Sequence, residues 1–233
     1  MCIRDSPTTD DKQGKNAAAE KALREKLFNV NALAALYYQE MLGSKKGAAA
    51  RSYLKKRGLT EELEREFALG YAPHEWDCLL TFLRSKQVPL QLMEKTGLII
   101  SRSGGGNYDR FRNRVIFPIH DLNGRITGLG GRSLDDSLPK YLNSPETPIY
   151  HKGRSLYGLN RAQFACRSQG LVILVEGYMD LLALYSHGIK NVVAALGTAL
   201  TPEQMRLIKR TCSRVALCFD SDEAGEKAVL RNA

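Results

Sequence analysis

Apolar residues in the last third of the chain predict alternating strands and helices. Three short apolar runs predict strands: Leu171 to Val175, Asn191 to Leu196, and Val215 to Phe219. Two helical segments separate them: Met179 to Ser186, and a helix that begins at Thr201 and Pro202. The first strand is an almost uninterrupted β-branched and leucine run, which is typical of a strand covered on both faces. This order predicts a parallel sheet with crossover helices.

Helical periodicity dominates the chain before residue 100. We predict five helices: Asn16 to Leu42, Ala48 to Arg57, one capped by Thr60, Leu79 to Ser85, and Leu90 to Lys95. Their leucine and aromatic positions are more typical of a core than of cofactor contacts. The second helix carries a basic cluster of Arg51, Lys55, Lys56 and Arg57. We interpret most of that cluster as a solvated helix side, although it could extend a basic surface.

From Ser101 the pattern changes to strands and turns. Val115 to His120 and Arg125 to Leu129 flank an Asn-Gly pair, which is the strongest short signal for a β-hairpin. Just before it, Arg110, Arg112 and Arg114 recur at every second residue, so an extended segment would place them on one face. The following stretch, Leu138 to Leu156, is interrupted by prolines, and we expect an irregular and functional loop.

That loop combines charges, rings and amides suited to nucleic acid. Lys140, Tyr141, Asn143 and Lys152 are its main candidates, because cations bind phosphates and aromatic faces stack on single-stranded bases. An ordinary surface loop would explain the composition equally well.

Charge is distributed unevenly along the 233 residues. The net charge is +9, yet the segment from Gly170 to the end contains seven basic and seven acidic residues. The segment from Arg102 to Arg167 contains eleven basic and five acidic residues. A basic region joined to a neutral region with an acidic site suggests that a polyanion is held by one and processed by the other. A solvated basic surface without a partner is the alternative.

The remaining composition is that of an ordinary globular chain. No apolar run approaches the roughly 20 residues that span a bilayer, and no secretory signal is visible, so we expect a cytoplasmic protein without membrane contact. The five cysteines and four histidines are scattered, which argues against a zinc site or a disulfide framework in this chain. Residues 1–15 are polar and predicted to be a disordered or non-native tail.

Acidic residues follow two of the predicted parallel strands. Glu176 comes directly after the first strand, and Asp220 and Asp222 follow the third. The carboxyl ends of parallel strands lie along one edge, where ligands bind in open α/β sheets. Converging carboxylates without Cys or His favour Mg²⁺ or Mn²⁺, which in a cleft most often serves phosphoryl or nucleotidyl transfer. Capping of the next helix is the alternative for Glu176 alone.

The same residues resemble a known domain. The segments EGYMD (176–180), ALGT (195–198) and FDSDEAG (219–225) are similar to the TOPRIM domain of topoisomerases and primases. The resemblance implies that Glu176, Asp220 and Asp222 are catalytic and metal-binding carboxylates. Asp180 matches the primase form of the motif and is a further metal candidate. Whether Glu176 is a metal ligand or a base is left open.

Four upstream segments make the resemblance more specific. DRFRNRVIFPIHD, GRITGLGGRS, PKYLNSPET and HKGRSLYGL occur in the order found in the RNA polymerase core of bacterial DNA primases of the DnaG type. The resemblance implies that Arg132, Lys140 and Lys152 bind template, primer or nucleotide in a groove between two subdomains. Arg112 and Arg114 are predicted neighbours there.

The family resemblance also implies a fold and a function. The expected fold is mixed α/β, with an α+β subdomain at 16–168 and a truncated TOPRIM α/β domain with a parallel sheet at 169–233. The expected function is Mg²⁺- or Mn²⁺-dependent synthesis of short RNA primers from ribonucleoside triphosphates on single-stranded DNA, by a monomer. We expect a fragment, because the family also has an N-terminal zinc ribbon and a C-terminal region that binds the replicative helicase. Zinc would be bound only by that zinc ribbon.

Three other functions are compatible with parts of the pattern. Another TOPRIM enzyme, such as a topoisomerase or nuclease, would need different flanking modules. A receiver-like signalling domain would have its acid pair after the first strand, which is the reverse of the order here. A non-catalytic module that binds single-stranded DNA would need no metal site.

Overall fold

A computed structural model describes residues 9–135, 137–197 and 200–219. The first unit is a group of helices packed on an antiparallel sheet, and the second is a parallel sheet with helices. This architecture confirms the predicted mixed α/β class. Within the described ranges, none of the helices combines the length and the hydrophobicity of a transmembrane span.

The helices of the first unit follow the predicted periodicity closely. They are α1 (Thr9–Gly43), α2 (Ala48–Lys56), α3 (Glu61–Glu66), α4 (Cys78–Ser85) and α5 (Leu90–Lys95). The Thr60 hydroxyl accepts a hydrogen bond from the Leu63 N–H and so caps α3, as predicted. Buried Asn31 of α1 donates its amide to the Thr127 carbonyl at 2.7 Å, which fixes the helix against the sheet.

The first helix begins earlier than its sequence suggests. We expected a tail through residue 15 and a helix from Asn16, but α1 begins at Thr9. Residues 9–15 are therefore helical, whether this segment is native stays a prediction, and residues 1–8 lie outside the described residues. The polar composition used for the prediction has no apolar period, but it also contains no proline between Thr9 and Asn16 that would stop a helix from extending.

The strands of the first unit form two sheets. They are β1 (Gly70–Ala72), β2 (Ile99–Ser101), β3 (Asn107–Asp109), β4 (Arg114–His120), β5 (Ile126–Ser133) and β6 (Tyr141–Asn143). The larger sheet has the antiparallel order β1-β4-β5-β6, and β2 pairs with β3. The predicted hairpin is the β4–β5 pair, whose turn is closed by the Asp121 carboxylate accepting from the N–H groups of Asn123 and Arg125, both at 2.9 Å.

One strand lies inside the segment that we expected to be irregular. β6 pairs with β5 in the register Gly130 with Asn143, Gly131 with Leu142, and Arg132 with Tyr141. Three residues between prolines are too few for a period-two signal. The pairing matters, because it places Arg132 directly beside Tyr141.

The second unit has the predicted parallel topology. Its elements are α6 (Leu159–Gln169), β7 (Leu171–Val175), α7 (Tyr178–Ser186), β8 (Val192–Ala194), α8 (Pro202–Thr211) and β9 (Arg214–Leu217). The strand order is β8-β7-β9, and both pairings are parallel. α6 precedes the predicted domain boundary at residue 169, yet its Leu159 and Cys166 pack in one core with Val172 and Leu174 of β7.

A single apolar core joins the two units. Phe117 of β4 stacks on Tyr178 of α7, with ring centroids 4.5 Å apart, and Phe67 meets Tyr185 edge-on at 4.8 Å. These rings belong to one cluster of buried residues that spans the four-stranded sheet of the first unit and the parallel sheet of the second. The core fixes the carboxyl edge of β7 beside β5 and β6, which is where the candidate site lies.

Candidate active site

The chain leaves β7 at Glu176 and turns into α7. Asp180, in the first turn of that helix, accepts a hydrogen bond from the Gly177 N–H through Oδ2 at 2.9 Å. A carboxylate at a helix start satisfies an N–H that has no partner in the helix and interacts favourably with the helix dipole. Asp180 therefore holds the turn that presents Glu176, and both residues line the same cleft.

The other two predicted carboxylates, Asp220 and Asp222, lie outside the described residues, so their approach to Glu176 stays a prediction. The described part of the neighbouring strand β9 shows where the chain lies just before Asp220. β9 pairs in parallel with β7 through Leu174 and Leu217, and the Cys218 N–H continues the pairing by donating to the Leu174 carbonyl at 2.8 Å. The described chain thus reaches the Glu176 edge just before Asp220 in sequence.

A cleft of about 410 Å³ opens between the two units at this edge. We call it the main cleft. The second unit contributes the β7–α7 turn and the segment after β8, and the first unit contributes three cations, a ring and an amide. Its lining residues include Arg57, Arg132, Lys140, Tyr141, Asn143, Glu176, Gly177, Tyr178, Asp180 and Gly197. Four residues predicted to bind nucleic acid or nucleotide, Arg132, Lys140, Tyr141 and Asn143, therefore lie together with Glu176 and Asp180.

Arg132 is held in the main cleft by two aromatic rings. Its guanidinium carbon lies 4.9 Å from the centre of the Tyr53 ring and 5.3 Å from that of Tyr141, and Nη1 donates to the Tyr141 hydroxyl at 2.8 Å. Its buried Nε has no hydrogen-bond partner among the described residues. Buried polar groups are normally paired, so this donor suits a bound anion.

Arg57 lines the main cleft, and it belongs to the basic cluster of α2 that we interpret mostly as a solvated helix side but that could extend a basic surface. It follows the last residue of α2 and lies over the Tyr53 ring, with the guanidinium carbon 5.5 Å from the ring centre. Tyr53 therefore lies near both Arg57 and Arg132. A tyrosine four residues before an arginine at a helix end was the available signal, because such residues share a helix face.

A second cavity, of about 380 Å³, lies within the first unit. We call it the arginine cavity. It contains the three alternating arginines together with residues from β1 to β3 and the segment before β6; its lining includes His74, Trp76, Tyr108, Arg110, Arg112, Asn113, Arg114, Asp135 and Pro139. Residues Arg112 and Arg114, predicted to bind nucleic acid, lie here, outside the main cleft.

Two aromatic rings that meet edge-on, Trp76 and Tyr108, and two guanidinium groups form one side of the arginine cavity. The guanidinium carbon of Arg112 lies 4.2 Å from the centre of the Trp76 ring and 5.1 Å from that of Tyr108. Arg102 lies over the same two rings, at 5.2 and 5.1 Å. Trp76, the single tryptophan of the chain, is 53% exposed. Sequence reasoning missed it, although a tryptophan in the polar stretch PHEWD is itself a signal.

Buried Asp109 holds the segments that carry these groups together. Its carboxylate accepts from the N–H groups of Leu79 and Leu80, at 2.7 and 2.9 Å, and its own N–H donates to the Trp76 carbonyl at 2.7 Å. Arg112 donates to the Asp109 carbonyl oxygen. Burial raises the pKa of Asp109 to about 6, against the two hydrogen bonds that favour its charged form.

Strand β6 separates the two cavities. From the arginine cavity, Arg110 donates to the Asn143 carbonyl at 3.4 Å, and Arg114 donates to the carbonyls of Lys140 and Gly131 at 3.3 and 3.4 Å. Burial lowers the pKa of both arginines. The Lys140, Tyr141 and Asn143 side chains belong to the main cleft, so Arg110 and Arg114 support that cleft from behind.

Lys152 lies apart from both cavities. It begins a short 3-10 helix, Lys152–Arg154, and its N–H donates to the Glu146 carboxylate at 2.9 Å. Its carbonyl accepts from Gln204 of α8 at 3.3 Å. The structure does not bring Lys152 together with the other predicted binding residues, and its binding role stays a prediction.

Comparisons with known proteins agree on one family. Residues 37–163 match the model of the DNA primase catalytic core, N-terminal domain, and residues 173–233 match a Toprim-like model. The DNA primase of Clostridium acetobutylicum is 48% identical over 227 residues, which is 96% of this chain and 37% of that protein. The DNA primase of Escherichia coli K12 is 42% identical over 212 residues, 91% of this chain and 36% of that protein. The chain thus spans little more than a third of these relatives.

Solved structures support the same grouping. A DnaG primase catalytic domain bound to ssDNA superposes with a TM-score of 0.83 at 42% identity, covering 90% of this chain and 66% of that one. The RNA polymerase domain of Mycobacterium tuberculosis primase DnaG superposes with a TM-score of 0.84 at 33% identity, covering 89% and 70%.

Proposed function

The chain belongs to the DNA primase catalytic core family, and from that membership we propose that it forms the nucleotidyltransferase part of a DNA primase. The protein would join ribonucleotides into a short RNA primer on a single-stranded DNA template. In each step the 3′ hydroxyl of the primer attacks the α-phosphate of a ribonucleoside triphosphate. A new phosphodiester bond forms, and pyrophosphate leaves.

One observation carries the proposal: Glu176 shares the main cleft with Arg57, Arg132 and Lys140. Two structural units contribute to this cleft, one with carboxylates and the other with cations. The cations suit the phosphates of a triphosphate and of a nucleic acid strand, and Arg132 in particular has a buried donor without a partner among the described residues. The carboxylate edge lies beside them, where the reacting phosphate would be held.

Oxygen ligands at this edge suit a hard divalent cation. Glu176, Asp220 and Asp222 would hold Mg²⁺ or Mn²⁺, with Asp180 as a further oxygen donor, and no Cys or His lines the described part of the cleft. When bound, such a cation neutralises phosphate charge and stabilises the attacking and leaving oxygens. Asp180 already accepts the Gly177 N–H through one oxygen, so it would contribute through the other.

The arginine cavity suits the template strand. Trp76 and Tyr108 offer ring faces to unstacked bases, and Arg112 offers positive charge for the backbone. The related catalytic domain with 42% identity is a complex with ssDNA, which supports the same class of ligand here. Affinity would fall steeply with salt, because phosphate binding releases counterions. A salt-independent affinity would contradict this part of the proposal.

We propose that the chain consists of two units, with the boundary before α6 rather than near residue 169 because α6 packs with β7, and that the whole protein has a further region that binds the replicative helicase. The known relatives are much longer than this chain, so the last point concerns the full gene product.

Primer synthesis by the full-length protein tests the proposed function. Ribonucleotides, Mg²⁺ and single-stranded DNA are supplied to the wild type, to Glu176→Gln, and to Glu203→Gln as a control on exposed α8. We expect Glu176→Gln to lose at least about 10³-fold in rate while it keeps DNA affinity, because it removes a carboxylate from the reacting edge. Full activity of Glu176→Gln would show that Glu176 takes no part in the reaction, whereas a wild type that binds single-stranded DNA but makes no primer would favour a non-catalytic single-strand-binding module.

A further inference from the structure

Tyr178 links the acidic edge to the first unit. It follows Glu176 by two residues and is the first residue of α7, but its ring points away from the solvent and is 2% exposed. The ring stacks on Phe117 at 4.5 Å and meets Tyr157 edge-on at 4.7 Å. Tyr178 therefore crosses the boundary between the units.

Gly130 of β5 makes this position possible. A Cβ built on Gly130 would overlap the Tyr178 hydroxyl and the adjoining ring carbon. Only a residue without a side chain leaves room there, since the overlap involves a ring fixed by packing on two other rings. The hydroxyl thus lies over Gly130 on one face of the sheet and reaches the neighbouring strand β6.

The Tyr178 hydroxyl forms a hydrogen bond with Asn143, whose side chain lines the main cleft. It donates to Oδ1 of Asn143 at 2.7 Å. With Oδ1 occupied, the amide is oriented so that its Nδ2 donors remain for another partner. Nδ2 has no hydrogen-bond partner among the described residues, and Asn143 lines the main cleft beside Lys140 and Tyr141.

We propose that Tyr178 is a positioning residue that orients the Asn143 amide so that Nδ2 donates to a phosphate oxygen bound in the main cleft. The inference rests on the proposed function, because it assigns a phosphate ligand to the same site. Tyr178 itself is 2% exposed and its hydroxyl is engaged by Asn143, so it would act on the ligand through that amide. The phosphate belongs either to the incoming ribonucleoside triphosphate or to the template strand, and the two are separable by experiment.

The test compares four variants of the full-length protein: Tyr178→Phe, Asn143→Ala, Asn143→Asp and the double variant Tyr178→Phe/Asn143→Ala. One arm measures KM and kcat for ribonucleoside triphosphate in primer synthesis. The other measures the affinity for labelled single-stranded DNA by fluorescence anisotropy. An effect on KM assigns the phosphate to the nucleotide, and an effect on anisotropy assigns it to the template.

We expect Tyr178→Phe to weaken one of these parameters about five- to tenfold, with kcat within about twofold, because one oriented hydrogen bond is lost. Asn143→Asp keeps an acceptor for Tyr178 but replaces the donor with a carboxylate. Asn143→Asp should therefore weaken the same parameter more than tenfold. If the Tyr178–Asn143 bond were purely structural, Asn143→Asp would leave that parameter unchanged. In the Asn143→Ala background, Tyr178→Phe should add less than about twofold.

Tyr157→Phe is the matched control. Tyr157 is equally buried and touches the same ring, but its hydroxyl has no hydrogen-bond partner among the described residues. It should leave both parameters unchanged. The inference fails if Tyr178→Phe changes neither parameter, if its effect adds fully to that of Asn143→Ala, or if Asn143→Asp behaves as the wild type. A wild type that binds DNA but makes no primer would overturn the proposed function instead, and the anisotropy arm would still test Tyr178.

Discussion

In the main cleft, Arg132 and Lys140 share the lining with the carboxylates of Glu176 and Asp180, whereas in the arginine cavity Arg112 lies against the rings of Trp76 and Tyr108. The arginine cavity has one described carboxylate, Asp135, and hydrogen bonds from Ser133 and Ser137 keep its pKa well below the usual range. The first arrangement suits the attack of a hydroxyl on a phosphate, and the second suits the holding of bases. Arginine content alone does not distinguish the two; the partners of each guanidinium do.

The strongest test of this contrast is removal of the cleft cations. Arg132→Ala and Arg57→Ala should each lower kcat/KM for ribonucleoside triphosphate about 100-fold, because each removes a charge-assisted contact to phosphate in a partly enclosed site. Affinity for single-stranded DNA, measured by anisotropy, should change by less than about threefold, because the template would be held mainly in the arginine cavity and would lose few of its phosphate contacts. Arg206→Ala, on the exposed side of α8, is the control. An equal loss in both measurements would mean that the cleft and the cavity bind one continuous ligand.

The converse variant acts on the arginine cavity. Trp76→Ala should weaken single-stranded DNA binding about tenfold, since stacking contributes roughly 1–3 kcal/mol per base. KM for the triphosphate at saturating template should stay within about twofold of the wild type. Trp76→Phe keeps a ring face and should recover most of the affinity. If Trp76→Phe were as weak as Trp76→Ala, stacking would not be the source of the effect.

Asp109, which holds the backbone beside the arginine cavity, should make the stability of the folded protein depend on pH. Its folded-state pKa is raised by burial to about 6 from an ordinary 3.8, so the folded protein binds a proton that the unfolded chain releases in this range. The resulting stability is present below pH 3.8 and is lost as the pH rises through 6. We compare the unfolding midpoint of the wild type with that of Asp109→Asn at each pH. The wild-type value minus the variant value should fall by a few degrees between pH 4 and pH 7, since 1 kcal/mol shifts the midpoint of a chain of this size by about 2–4 °C.

Thermal unfolding followed by circular dichroism at unit pH intervals measures this difference. Asp121→Asn is the control, because Asp121 closes an exposed turn at the other end of the sheet. Parallel curves for wild type and Asp109→Asn, or a difference that grows with pH, would show that Asp109 stays charged throughout.

The smallest effect should come from Lys152. Because it lies outside both cavities, Lys152→Ala should change triphosphate KM and DNA affinity by less than about twofold. A loss comparable to that of Lys140→Ala would restore the role that the family resemblance implies for Lys152, and would extend the binding surface beyond the two cavities.

Local patterns predicted most of the fold. The apolar run of β7, the Asn-Gly hairpin and the Thr201-Pro202 start of α8 each carry their signal within a few residues, and each matches the structure. Strand β6 has only three residues, so its existence depends on pairing with β5 rather than on its own pattern.

The candidate site was less predictable, because it depends on contacts between distant segments. Glu176 and Arg132 were predicted from motifs, but Arg57 joins them only because Tyr53 holds it at the end of α2. Trp76 matters because Asp109, distant in sequence, binds its backbone. No periodicity in the sequence encodes such a pairing, whereas the side-chain chemistry of each partner was visible once the fold had placed it.

The brevity of β6 has a kinetic consequence. A three-residue strand at the sheet border opens at a small free-energy cost compared with the central β4–β5 pair, so its amide protons should exchange with solvent much sooner. Ligand atoms in either cavity would contact groups anchored to this strand and slow that exchange. The deuterium uptake of residues 141–143 therefore reports whether a ligand occupies the main cleft or the arginine cavity, the two sites that β6 separates.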